Sequence, residues 1–280
     1  MVEVAKKDDI LQEAADIIRT TLGDQLATIT IERAAIGLFF TGVKLSNGYG
    51  GVSYTPIKSI PEAVCCPSSA ASMPIPGKIR GASAESFLKD IHSNSMIRKS
   101  FAIAVLNALA NTCWHLAPPT EYTIEKGVDP IDVIDIPENA LVVVIGALAP
   151  YLRRFKKWKQ PFIVLELDPA TLKEDELPYF RPASEAPEVI PQADVLIATG
   201  TTLINDTIHS LLSYCKEDAQ VVIVGPTSSM LPIPFFKRGV NVIGGVMVTK
   251  PDELLDMISE GGSGYHFFGK SAEKIVIQAK

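Results

Sequence analysis

With 280 residues, 47% of them hydrophobic and 21% charged, the chain is long enough for one large or two medium domains and too apolar for disorder. Its net charge of −6 is uneven: residues 1–120 carry 11 basic and 10 acidic side chains, residues 121–280 carry 15 and 22. Neither half has the basic excess of a polyanion binder, which sets nucleic acid aside as a partner.

The opening MVEVAKKDDILQEAADII lacks the apolar core of a signal peptide, so a soluble, cytoplasmic protein is expected. Ile10, Leu11, Ala14, Ile17, Ile18 and Leu22 recur at helical spacing, which predicts a helix over about 8–22, capped by Asp8 or Asp9 and ended by Gly23. The pattern then changes. LATITIE (26–32) alternates with period two, IGLFFTGV (36–43) reads as a solid apolar strand, and YGGVSYT (49–55) follows Asn47-Gly48, a strong hairpin signal. A Pro- and Ser-rich passage (56–81) leads to helices over about 83–92 and 95–113. The first half therefore reads as a small α+β unit, a three-stranded antiparallel meander with helices packed on it.

The longest stretch free of Asp, Glu, Lys and Arg is 100–120, long enough to raise the question of a membrane span. Asn107, Asn111, Thr112 and His115 interrupt it and Pro118-Pro119 closes it, so a buried helix of a soluble protein is expected instead. Cys65, Cys66, Cys113 and Cys215 form neither a CxxC motif nor a disulfide framework, and Cys65-Cys66 reads as a pair of small buried residues.

From about 119 the grammar is different. LVVVIG (141–146), FIVLELD (162–168), DVLIAT (194–199), QVVIVG (220–225) and VNVIGGVMV (240–248) are continuous apolar runs, as strands buried on both faces of a parallel sheet require. Helical stretches at 150–159, 202–216 and 251–260 separate several of them, which makes right-handed βαβ crossovers and a doubly wound α/β sheet. Residues 169–193, with prolines at 169, 178, 182, 187 and 191, hold either a short helix and a loop or a further strand. The domain split is expected at 1–118 and 119–280.

In such sheets ligands bind beyond the carboxyl ends of the strands, where strand order reverses. Gly146 leaves the first strand as a dinucleotide fingerprint begins, but the two further glycines of G-x-G-x-x-G are missing, which argues against NAD. Glu166 and Asp168 close the second strand, where an acidic residue either accepts hydrogen bonds from a ribose or starts a turn before Pro169. The third turn, ATGTTLINDTIH (198–209), is the most informative. A helix running through it puts Thr202, Asn205, Asp206 and His209 on one face, and Thr201 or Thr202 caps it. This stripe is either a ligand face or a capping arrangement. Gly225-Pro226-Thr227 then leaves the fourth strand with more hydroxyls, as a second wall of one polar site or as a turn restrained by proline. RRFKKWK (153–159) is a solvated helix face, the four histidines stand in no metal-ligand pattern, and no G-x-S-x-G elbow appears.

At VVVIGALAP, ELDP, ADVLIATGTTLINDT, VVIVGPTSSMLP and GVNVIGGVMVTKPD, and upstream at IGLFFTGVKLSNGYGGVSYTP and AIAVLNALAN, the chain resembles a bacterial and archaeal family of uncharacterised proteins named for heavy-metal chelation. The resemblance covers about 10–265 and implies an enolase N-terminal-like domain followed by a Rossmann-like domain, with a cleft between them as the site. It implies condensation or hydrolysis of a flavin-, pterin- or siderophore-like compound, or handling of a metal chelate. The matching positions are Gly200, Thr201, Thr202, Asn205 and Thr207 in the third turn, Gly146, Gly225, Pro226 and Thr227 in two others, and Asn107 from the small domain. Asn107 is either a ligand contact or a satisfied core amide. Asp206 stands where a small residue such as Gly is expected in relatives.

Three readings follow: an enzyme with Asp168, Asp206 or Glu166 as acid or base; a non-catalytic binder of a metal chelate or nucleotide-like ligand; and an S-adenosylmethionine-dependent methyltransferase-like enzyme. The expected partner is a small molecule, with no resident metal centre and no cofactor named by the sequence. A homo-oligomer fits the fold type, and no membrane partner is expected.

Overall fold

A computed structural model describes residues 9–59 and 74–280. Cys65-Cys66 and part of the Pro- and Ser-rich passage lie outside the described residues. The first helix, α1 (Ile10–Leu22), starts where Asp9 accepts the Leu11 N–H at 2.9 Å and stops at Gly23. A helical turn (Gly23–Thr28) then takes the first three residues of the stretch expected as the first strand. The strands come later: β1 (Ile31–Ile36), β2 (Phe40–Leu45) and β3 (Gly50–Tyr54). Their order is β1-β2-β3, all antiparallel, as expected for a meander. The run expected as one strand over 36–43 is instead broken by a hairpin bend at 37–39 between β1 and β2, with the Gly37 N–H donating to Phe40 O and with Leu38 and Phe39 exposed. Apolar side chains at a hairpin tip imitate a buried strand when only composition is read.

Next comes α2 (Met96–Leu116), whose side chains are buried on nearly every side. One face lies so close to β3 that a Cβ on Gly51 would stand 2.2 Å from Ala104 O and 2.3 Å from Ala108 N. Only glycine permits that approach. Among the described residues no helix is long and apolar enough to cross a membrane.

Among the described residues the large sheet has eight strands: β4 (Tyr122–Lys126), β5 (Val142–Ile145), β6 (Phe162–Glu166), β7 (Phe180–Pro182), β8 (Val195–Thr199), β9 (Gln220–Val224), β10 (Val242–Val248) and β11 (Ala272–Ala279). They lie in the order β4-β11-β10-β9-β8-β5-β6-β7. The six from β10 to β7 run parallel, while β11 and β4 add an antiparallel edge. This is a doubly wound α/β sheet preceded by a small antiparallel one, and its strand order reverses between β5 and β8. Over 169–193 both alternatives occur: short helical turns fill most of the segment, and the three-residue β7 pairs with β6 at the sheet edge.

Further helices are α3 (Ala149–Trp158), α4 (Ile208–Ser213) and α5 (Pro251–Ser259). Successive β-strand side chains alternate faces. Val142, Val144, Val195 and Ile197 accordingly meet Leu152 and Phe155 of α3, while Val143, Leu196 and Ala198 join a core shared with α1 and α2. The outer face of the small sheet is covered by α5: a Cβ on Gly42 would reach Ile258 Cδ1 at 2.7 Å. The small sheet is thus held between α2 and α5.

Candidate functional site

Four turns leave the parallel strands on one edge, and residues after β3 and at the start of α2 meet them. After β5, Gly146 has φ +95°, and a Cβ there would sit 3.0 Å from Thr199 Cγ2. The next N–H, of Ala147, donates to Glu166 Oε2 at 2.9 Å. Glu166 Oε1 accepts from Leu167 N at 2.7 Å and Asp168 N at 3.4 Å. Its carboxylate therefore ties the β5 and β6 turns together. An N–H group that would face a pyrophosphate in a dinucleotide site is taken by the protein's own anion.

Asp168 caps the turn after β6 through Ala170 N at 3.0 Å. Its other oxygen receives Lys58 Nζ at 2.5 Å. That ammonium, and secondarily the Ala170 N–H, hold the Asp168 carboxyl below its usual range, and Asp168 raises Lys58 in return.

After β8 the expected continuous helix does not form. Gly200–Leu203 make a short helical turn, Asp206 takes φ +60°, and α4 begins only at Ile208. Thr202, Asn205, Asp206 and His209 consequently do not share one helix face. Thr202 Oγ1 donates to Thr199 O at 2.7 Å, and Thr201 Oγ1 to Thr199 Oγ1 at 3.3 Å. Asn205 Oδ1 accepts from Thr207 N at 3.3 Å and Thr207 Oγ1 at 2.7 Å. These residues brace the turn, as Ser, Thr and Asn do wherever the backbone leaves regular structure. Left-handed backbone at Asp206 is a conformation that glycine enters freely and Asp tolerates, which gives a physical basis for the small residue expected there. Asp206 itself, mostly exposed, receives the ammonium of Lys99.

After β9, Gly225 has φ +118°, and Thr227 Oγ1 accepts the Tyr54 N–H at 3.0 Å. A Cβ on Gly200 would lie 3.0 Å from Ser228 N, so the β8 and β9 turns touch. Asn107 reaches the same turn from α2: Nδ2 donates to Val52 O at 2.9 Å, Pro226 O at 3.1 Å and Thr227 O at 3.2 Å. Of the two readings of Asn107, its amide nitrogen follows the core one, while its Oδ1 is buried with no protein partner.

The structure brings Asn107, Gly200, Pro226 and Thr227 into one seam, sets Glu166 between the β5 and β6 turns, and places Asp168 and Asp206 opposite lysines. Sequence reasoning missed those lysines. Lys58 lies in a Pro-rich passage, and Lys99 looks like an ordinary polar residue at a helix start; neither position carries a pattern that announces an ion pair across the fold.

A cavity of about 210 Å³ lies elsewhere, on the α3 face of the sheet, between Pro130, Tyr151, Phe268 and Ile275. It meets the expected residues only at Gly225 and Pro226. Its lining is mainly apolar, whereas the paired charges lie at the seam.

A directly held metal does not fit the described side chains. No three His, Cys, Asp or Glu residues converge among them. Burial pushes the Cys113 thiol up to about 12 and Cys215 to about 11, which keeps both protonated and poor as ligands. His115 bonds Asn111 O at 2.8 Å, and His92 lies against Gln12 at 2.8 Å and Asp9 at 3.2 Å.

Comparison with known proteins places these features in context. Residues 129–277 match the family model DUF364, described as "Putative heavy-metal chelation", and residues 19–110 match DUF4213, which carries the same description. An uncharacterized protein of Methanocaldococcus jannaschii is 25% identical over 190 residues, 67% of this chain and 69% of that one. A crystal structure of a DUF364 protein of unknown function from Pyrococcus horikoshii superposes with a TM-score of 0.74 at 21% identity, covering 96% of this chain and all of the other. A second DUF364 structure, from Desulfitobacterium hafniense, gives 0.65 at 15% identity over 95% and 98%. These likenesses establish the fold.

Proposed function

We propose, from the premise that this chain belongs to the DUF364 family described as "Putative heavy-metal chelation", that it binds a small chelator-like molecule of flavin, pterin or siderophore type at the seam. In this reading residues 1–118 and 119–280 are the two walls, and any metal arrives already held by the small molecule. The observation that carries it is the convergence of the turns after β6, β8 and β9 on the segment 54–58 and the start of α2, with the β5 turn tied to them by Glu166, beside the point of strand reversal. The state of the carboxylates favours binding over acid–base catalysis. Glu166 is engaged by three backbone N–H groups, and Asp168 is held ionised by Lys58, so Asp168 is not set up as a proton donor near neutrality. A methyltransferase-like use of the β6 acid on a ribose is disfavoured for the same reason, because that carboxylate already holds Ala147.

Thermal unfolding in the presence of pterins, flavins, their metal chelates, S-adenosylmethionine and free divalent metals tests this. A ligand at 100 times its dissociation constant adds about 2.7 kcal/mol to native stability. A rise in Tm with a heterocycle or its chelate, diminished in Thr202→Ala/Asn205→Ala, is expected. A rise with free metal alone, or with S-adenosylmethionine alone, overturns the reading.

A further inference from the structure

Lys99 and Asp206 form an ion pair of unequal members. The lysine side chain is 5% exposed and the aspartate 72% exposed. Burying an ammonium is unfavourable unless an anion meets it. Its place makes matters worse, since Lys99 stands in the first turn of α2, where the helix end is already positive. A tie whose only task is to hold two elements together has no need of this asymmetry. Here the fixed, buried member is the cation, while its anion is a solvent-facing side chain on a single left-handed residue between the β8 turn and α4. An anionic oxygen arriving from solvent can take the place of the Asp206 carboxylate without any core side chain moving.

The surroundings point the same way. Lys58 makes a parallel crossing to Asp168 at 2.5 Å, so a second cation reaches the carboxyl edge of the sheet from the first half of the chain. Glu166, the remaining carboxylate of these turns, is held by the N–H groups of Ala147, Leu167 and Asp168, and its charge is felt by Lys58.

We propose that Lys99 anchors a carboxylate or phosphate of the seam ligand, and that Asp206 occupies that place when no ligand is bound. This deepens the function proposed above and rests on it: the small molecule is an anion. Asp206 is then a competitor of the ligand, and removing its charge strengthens binding. A purely structural ion pair makes the opposite prediction.

The experiment is equilibrium binding of inorganic phosphate and of citrate, at constant ionic strength set with chloride, to the full chain and to Asp206→Asn and Lys99→Met. Asn accepts the left-handed backbone; Asp206→Gly, equally at ease there, replaces it should Asn fold poorly. Expected is a gain of about tenfold or more in affinity in Asp206→Asn, the scale on which a close charge pair competes. Lys99→Met should lose binding. The Tm of Asp206→Asn should lie below that of the parent and recover with the probe by more than the parent gains. A preference for phosphate or for citrate identifies the group. Equal or weaker binding in Asp206→Asn, or binding that survives in Lys99→Met, overturns the proposal. If heterocycles stabilise the parent, Asp206→Asn and Lys99→Met alike, the anchor falls and the seam reading stands. If citrate or phosphate gains in Asp206→Asn while no heterocycle or chelate binds, the anchor stands and the chelator class falls.

Discussion

Around Asn107 and Asn111 the small sheet meets the large one through neutral groups, and around Lys58 and Lys99 through full charges. In the first region Asn107 Nδ2 donates to carbonyls of β3 and of the β9 turn, and Asn111 Nδ2 donates to Gly50 O at 3.5 Å and Val248 O at 3.2 Å. Gly51 lets α2 lie directly on β3. Everything there is buried, so geometry is over-determined and little can move. In the second region each contact is one flexible side chain on another, with at least one member open to water. The same two sheets are thus welded at one place and tethered at the other. The ligand entry proposed above lies at the tether, where exchanging partners disturbs no packing.

The comparison breaks first at Gly51. Gly51→Ala places a methyl 2.2 Å from Ala104 O and 2.3 Å from Ala108 N, both backbone atoms that cannot rotate away. Overpacking of this kind costs about 3 kcal/mol. Urea unfolding should show that loss with an unchanged m-value. A loss below about 1 kcal/mol would mean that α2 slides on β3 and that the weld is not one.

Next in size is an asymmetry within the tether. Asp206→Asn leaves the Lys99 ammonium buried without its anion, while Lys99→Met replaces the cation by an apolar chain of similar length. The first should destabilise by about 2 kcal/mol, because a buried ammonium keeps at best a neutral amide acceptor in place of its anion. The second should be close to neutral, as apolar replacement of buried charge often is. Equal losses in the two variants, read from the same denaturation curves, would show that the pair contributes as a unit and that the cation is not the member placed under strain.

How much of this was legible follows the same division. The parallel strands were readable because burial on both faces leaves continuous apolar runs, as in VVVI (142–145) and QVVIV (220–224). The antiparallel edge was not: β4 and β11 mix charges with apolar residues, and their pairing joins chain segments some 150 residues apart, which no local pattern encodes. The 202–216 helix failed at Asp206, where one left-handed residue outweighs good helical periodicity on either side. At the site, the Gly and Thr turns were visible as turn chemistry, yet hydroxyls read as ligand contacts bond largely to their own turns. Lys58 and Lys99 stayed hidden because a long-range ion pair has no spacing. Only the fold places them.

The smallest effect sharpens the comparison most, because it concerns the outermost contact. Lys58 and Asp168 meet near solvent, with side chains 72% and 42% exposed, and such pairs contribute little to stability. Their signature lies in titration. Lys58 holds the Asp168 carboxyl below the usual aspartate value of about 3.9. A carboxyl lowered in the folded state contributes stability above its unfolded pKa and loses that contribution as pH falls through the folded value. Lys58→Ala should therefore leave Tm at pH 7 nearly unchanged and bring Asp168 back toward 3.9 in a carboxyl-carbon NMR titration. The small part of the acid-side slope below about pH 4 that this pair supplies should go with it. The Ala170 N–H still bonds Asp168 in the variant, so the return should be incomplete. An unshifted Asp168 would assign its acidity to the turn rather than to the lysine. Among the described residues the proposed anion anchor would then rest on the buried Lys99 alone, without help from Lys58.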